Sequence, residues 1–96
     1  MKVKNPQVGG IAKSTQGRDK NCHYIIVAIQ QNGYVLVSDG KYKTVSSPKK
    51  KSVKHLCLTP FIQEEIAQRL ASGKNVYDYE IKTVLKNYIK TENSAK

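Results

Sequence analysis

Gly17-Arg18-Asp19-Lys20 sets a residue that tolerates φ > 0 beside two cations and a carboxylate, between the apolar segments Gly10 to Ser14 and Tyr24 to Ile29. Glycine supplies such a turn at no steric cost. The chemistry open to this quartet is phosphate binding. Arg18 and Lys20 are expected at the loop tip in water, and Asp19 is expected to accept nearby backbone N–H groups as an Asx-turn residue does. Pro48-Lys49-Lys50-Lys51-Ser52-Val53-Lys54-His55 is the densest positive cluster, read as a loop between two strands. Lysine is a mobile point charge, suited to phosphate and poor at bidentate base reading. The plainer alternative is a solvated, solubilising loop.

Other constellations offer less. Cys22-His23 and His55-Leu56-Cys57 contain the ligand set of a structural zinc, but neighbours on a strand point to opposite faces and finger ligands bracket two to four residues. No metal or other cofactor is expected, and Cys57 is expected to point inward as a small core residue. A Cys–His nucleophile would lack a third group to orient the base. Gly9-Gly10-Ile11-Ala12-Lys13-Ser14 fails as a phosphate loop because Ala12 stands where glycine must precede the lysine. The carboxylates of this half, Asp19 and Asp39, both read as turn residues, so no enzyme is expected. Tyr24, Tyr34 and Tyr42 could stack on unpaired bases, although a strand tyrosine more often packs half-buried with its hydroxyl wet. Tyr42, between Lys41 and Lys43 just after a turn, is the best stacking candidate. An aromatic cage for a cation is disfavoured by the field of a chain with net charge +10.

The elements that must position these groups fall into three zones. Met1 to Val8 reads as a flexible arm, and Glu92 to Lys96 as a fraying tail. Between them, residues 9–59 read as strands and turns and residues 60–91 as helices. Tyr24 to Ile29 is β-branched and ends at Gln31-Asn32-Gly33, where Asn-Gly signals a hairpin into Tyr34 to Ser38. Asp39-Gly40 marks a second turn, Tyr42 to Val45 a shorter strand, and Lys54 to Leu58 an alternating last strand. Short strands joined by tight turns suggest a small closed or nearly closed barrel. The central strands are apolar on both faces, so the helices should cover the outer one. Thr59-Pro60 reads as the N-cap and first residue of one helix, carrying Ile62, Ile66 and Leu70 and stopping at Ser72-Gly73. A second helix begins near Asp78, with Ile81, Val84, Leu85, Tyr88 and Ile89 on one face and Lys82, Lys86 and Lys90 on the other.

The charge is unevenly placed. Residues 1–56 carry eleven Lys or Arg against two Asp, whereas residues 57–96 carry six against five Asp or Glu. A positive field concentrated in the N-terminal part points to nucleic acid as partner, with anionic membrane second. The basic N-terminus has no apolar run behind it, and the longest apolar run is too short to span a bilayer. A cytoplasmic protein with free thiols is the expectation.

Gly10-Ile11-Ala12, Lys13-Ser14, Gly17-Arg18-Asp19-Lys20, then Tyr24 and its apolar strand resemble the KOW family. There this motif is a β-loop-β unit of an SH3-like barrel, found in ribosomal proteins and transcription elongation factors. Ser38-Asp39-Gly40 through Pro48-Lys49-Lys50-Lys51 to Lys54-His55-Leu56 is similar to bacterial KOW-containing RNA-binding proteins, themselves similar to a ribosomal large-subunit protein. The likeness covers roughly residues 8–59. One departure is Asn21, where the family usually has a second glycine; asparagine is the next best residue for the left-handed region.

The expected fold class is therefore mainly β with C-terminal helices, a small SH3-like five-stranded barrel followed by a two-helix hairpin packed against it. The expected function is binding of structured RNA, ribosomal RNA or the large ribosomal subunit first. No membrane and no small-molecule substrate are expected. Candidate RNA contacts are Lys13, Ser14, Gln16, Arg18 and Lys20 in the first strand and loop, and Lys41, Tyr42 and Lys43 in the second turn. Lys49, Lys50, Lys51, Lys54 and His55 complete the set. Lys82, Lys86 and Lys90 are expected to contribute less. The competing readings are a transcription-associated KOW module and an SH3-like protein-protein adaptor.

Overall fold

The structure, a computed structural model, describes residues 5–94. Five antiparallel strands, β1 (Gly10–Ser14), β2 (His23–Ile29), β3 (Tyr34–Ser38), β4 (Lys49–Ser52) and β5 (Leu56–Ile62), form one sheet in the order β4-β3-β2-β1-β5. Two helices follow, α1 (Glu64–Ala71) and α2 (Asp78–Ser94). The chain is mainly β with C-terminal helices. No ladder joins β4 to β5, so the sheet is open and these two strands are its edges. Register shifts between Ile26 and Ala28 on β2, and between Gly10 and Ala12 on β1, bend the sheet, as bulges do.

Strand parity divides the core in two. Ala12, Tyr24, Ile26, Val35, Val37, Leu56 and Leu58 pack on the concave face. Ile11 and Ile25 point the other way, and Ile66, Val76, Ile81 and Leu85 cover them. The second apolar face read from the central strands is thus covered by both helices. The Asn32-Gly33 hairpin has φ of +63° and +80°, both positive as its sequence requires. Gly73, at φ +74°, ends α1 with Lys74 N–H donating to the Arg69 carbonyl at 2.8 Å, the bond of a Schellman stop.

Four expectations are corrected. Tyr42 to Val45 is not a strand: side chains take up its N–H groups, because Asp39 Oδ1 accepts the N–H of Lys41 and of Lys43 and Asp78 Oδ1 accepts that of Val45. The place beside β3 goes instead to Lys49–Ser52, read above as a loop. Thr59-Pro60 does not start a helix; β5 runs on to Ile62, paired with Gly10, and α1 begins at Glu64. Proline is tolerated there because β5 is an edge strand with one side unpaired. The strand-forming half thus ends at Ile62 rather than at residue 59. Finally, α2 continues through Thr91 and Glu92 to Ser94. Of the arm expected over residues 1–8, residues 1–4 lie outside the described residues, as do residues 95–96 of the tail.

Candidate nucleic-acid interface

The loop from Thr15 to Cys22 is built around Asp19, though not as an Asx-turn. Its Oδ1 accepts Lys51 Nζ at 2.7 Å and the Ser14 hydroxyl at 2.9 Å; its Oδ2 accepts the Tyr24 hydroxyl at 2.7 Å and Lys49 Nζ at 3.2 Å. These partners come from β1, β2 and β4, so one carboxylate ties the loop to three strands. The expected backbone donors are displaced because two ammonium groups outcompete neutral N–H groups for a carboxylate. Burial alone would raise the Asp19 carboxyl, but the bonds from Lys51, Tyr24, Ser14 and Lys49 outweigh it and hold it well below the usual carboxylate range. The Tyr24 hydroxyl moves the other way, pushed up by burial and by donating to Asp19.

This hub removes two of the expected RNA contacts. Lys51 pairs with Val35 across the ladder, so parity points it to the concave face, where its side chain is 8% exposed. Ser14 is buried at 1% and donates inward. Tyr24, at 2% exposed, is packing rather than a stacking surface. Lys49 shares the face of Lys51 and is half-buried beside Asp19. Of the lysine triplet only Lys50 turns outward, its Nζ 4.7 Å from the centroid of the Tyr34 ring. Alternation along β4 therefore splits a run that reads as one patch in sequence.

The remaining candidates are at the surface. Gln16, Arg18, Lys20, Lys41, Tyr42, Lys43, Lys54 and His55 are exposed, and Lys13 is half-buried. Tyr42 is 77% exposed, with Lys41 Nζ 4.9 Å above its ring. Lys54 and His55 lie in the 3-10 turn Val53–His55 after β4. Lys13 sits in a row with His23 and Cys57 across β2, β1 and β5, on the helix-covered side. Cys57 is consequently half-buried on that side rather than in the concave core beside Leu56 and Leu58. Among the described residues no three of His, Cys, Asp and Glu converge as metal ligands.

Asn21 adopts φ +76°, the left-handed conformation expected of it. Asn21→Gly should leave stability within about 0.5 kcal/mol, and Asn21→Ala should cost about 1 kcal/mol, read from urea midpoints. Equal midpoints for the two variants would show that the loop does not need this conformation.

Register places the β1–β2 and β3–β4 loops at the same end of the sheet, since Lys13 opposes His23 and Ile25 opposes Ser38. Helix α2 passes beside both. A groove of about 680 Å³ lies between them, where Asn21 and Lys41 of the loops meet Tyr79, Lys82 and Lys86 of α2, with Leu85 and Ile89 adding apolar lining. In the sequence Lys82 and Lys86 read only as the polar face of a helix. The spacing of Tyr79, Lys82 and Lys86 places them on one helical face, but only docking shows that this face borders Lys41.

No protein-family model and no curated protein sequence matches this chain.

Proposed function

We propose that this protein is an RNA-binding module of the KOW type, its curved sheet being an SH3-like barrel, with ribosomal RNA or the large ribosomal subunit as the target. The observation that carries the reading is the fate of the two carboxylates in the basic half. Asp39 Oδ1 takes backbone N–H groups of its own turn, and Asp19 pairs with buried Lys51 and half-buried Lys49. Arg18, Lys20, Lys41, Lys43, Lys50 and Lys54 are left exposed on the loops and edge of one small sheet, in a chain of net charge +10. Such a field draws a polyanion, and flexible lysines on loops suit phosphates better than base edges. The likeness of Gly17-Arg18-Asp19-Lys20 and its flanks to the KOW unit favours RNA among polyanions.

The test is a salt titration of binding to a ribosomal RNA fragment. With about five phosphates neutralised, log K is expected to fall against log salt with a slope of roughly −3.5 to −4.5. Arg18→Ala, Lys20→Ala and Lys50→Ala should each weaken binding and flatten the slope by about one unit. A slope near zero would exclude an electrostatic RNA interface. Cosedimentation with large ribosomal subunits on a sucrose gradient would place the target; a polymerase-bound peak would favour the transcription-associated reading instead.

A further inference from the structure

The groove between α2 and the two loops carries a feature that phosphate binding alone leaves unexplained. Tyr79, on its wall, is 68% exposed, and its ring is stacked on that of Tyr77 at 5.9 Å with 16° between planes. Tyr77 is itself 52% exposed. Two large aromatic rings are held parallel in water at the start of a helix. The cap beneath them is firm: Tyr77 N–H donates to Glu80 Oε2 at 2.9 Å, and both Glu80 oxygens are held by the Arg69 guanidinium. Arg69 Nη1 also donates to the Asn75 carbonyl at 3.1 Å, tying down the segment that leads into α2.

Lys82 and Lys86 follow Tyr79 on the same face of α2, and Lys41 stands across the groove. Three lysines thus line the same groove as the exposed Tyr79. The single carboxylate among the lining residues is Asp39, whose Oδ1 already accepts two N–H groups. Cations alone would suit any polyanion, including the backbone of a duplex. An exposed ring face adds nothing toward a duplex, whose bases are stacked on one another, but it matches the open face of an unpaired base. A ring already stacked on its neighbour has less conformational freedom to lose on contact than a lone one.

We infer that this groove binds an unpaired nucleotide of an RNA, the base stacking on Tyr79 and the neighbouring phosphates lying against Lys82, Lys86 and Lys41. The inference rests on the RNA-binding reading above and adds to it the kind of element recognised, a single-stranded loop or bulge. The test uses the full chain and two fluorescein-labelled probes, a short CA-repeat RNA that forms no base pairs and a blunt RNA duplex of the same length. By fluorescence anisotropy, Tyr79→Ala should raise the Kd for the single strand about tenfold and that for the duplex by less than about twofold. Tyr79→Phe, which keeps the ring, should stay within about twofold of the parent on both probes. The double variant Lys82→Ala/Lys86→Ala should weaken single-strand binding and flatten its salt slope. Because Tyr79 is exposed, circular dichroism should give all these variants the parent's spectrum.

An unchanged single-strand Kd for Tyr79→Ala, or an equal loss on both probes, would overturn the proposal. If the parent protein still bound duplex RNA with a steep salt slope, the RNA reading would survive that result. A parent protein that bound neither probe would sink both, and the fault would then lie with the RNA reading.

Discussion

Asp19→Ala is expected to destabilise the fold by about 3 kcal/mol, a large effect for a polar residue of the loops. The carboxylate is the common acceptor of Lys51, Lys49, Tyr24 and Ser14, at 2.7 to 3.2 Å. Removing it leaves the Lys51 ammonium, on a side chain 8% exposed, with the Gln16 carbonyl, at 3.3 Å, as its remaining acceptor. An uncompensated buried charge costs far more than a surface ion pair contributes. Lys51→Ala should be damaging for the complementary reason, since Asp19 then keeps only weaker donors. Lys50→Ala, one residue away and outward-facing, should fall within about 0.5 kcal/mol of the parent. Urea unfolding with unchanged slopes would report these differences as shifts in midpoint.

The same hub sets a pH dependence. The Asp19 carboxyl is held below its ordinary value in the folded protein, so the unfolded chain takes up its proton first as the solution is acidified. The stabilisation is complete above the unfolded carboxylate range, near about pH 4, and is lost progressively as pH falls below it. Asp19→Asn should be less stable than the parent at neutral pH, and the gap should narrow on acidification. Parallel stability curves for the two proteins below pH 4, or a Cm for Asp19→Ala matching that of the parent, would remove the hub from this account.

Gly40→Ala is the second large expected effect. Gly40 has φ +74°, and a Cβ there would clash with the Asp78 carbonyl oxygen and lie 3.0 Å from both Ile81 Cβ and Lys82 Cγ. The closest obstacle is backbone at the start of α2, which cannot swing aside as a side chain would. Left-handed strain of about 1 to 2 kcal/mol adds to an overpacking cost of about 1 to 3 kcal/mol. Relief requires α2 to lift from the β3–β4 loop, withdrawing Ile81 from the second core and Lys82 from its position beside Lys41. Gly33→Ala is the matched control, because Gly33 has φ +80° with nothing within 4 Å of the added atom. Only the strain should appear there, about 1 kcal/mol. Amide hydrogen exchange should find α2 deprotected in Gly40→Ala and unchanged in Gly33→Ala. Equal losses in the two variants would mean that the helix does not need this close approach.

The two effects bear on the proposed interface in different ways. Asp19 keeps the Arg18 and Lys20 loop on the sheet, so its loss should disorder that loop. Gly40 brings a helix to the sheet's end, so its loss should break the groove apart. In both cases the residue that matters most to the surface is one that no ligand touches. A scan of exposed lysines alone would miss them, and a triple Lys49, Lys50 and Lys51 to Ala variant would confuse a stability defect with a lost contact.

Local rules made much of this molecule legible from its sequence. The β-branched run in β2, the Asn32-Gly33 turn, the glycine stop after α1 and the four-residue spacing of apolar positions in α2 each follow from steric or periodic constraints within a few residues of chain. The net positive field of the N-terminal part is equally local, being a count. What required the tertiary structure was every relation across distant positions. Lys51 reads as a surface cation until the β3–β4 register sets it opposite Val35, and its partner Asp19 lies 32 residues away. Pro60 reads as a helix start until β1 offers β5 a ladder, and Tyr42 to Val45 reads as a strand until Asp39 and Asp78 claim its N–H groups. Lys82 and Lys86 face the loops only because Gly40 lets α2 approach them. Conformational preference is written within a turn or two of chain, whereas partners for buried charge and the edges of a groove are chosen by whichever distant segments the fold brings within a few ångströms.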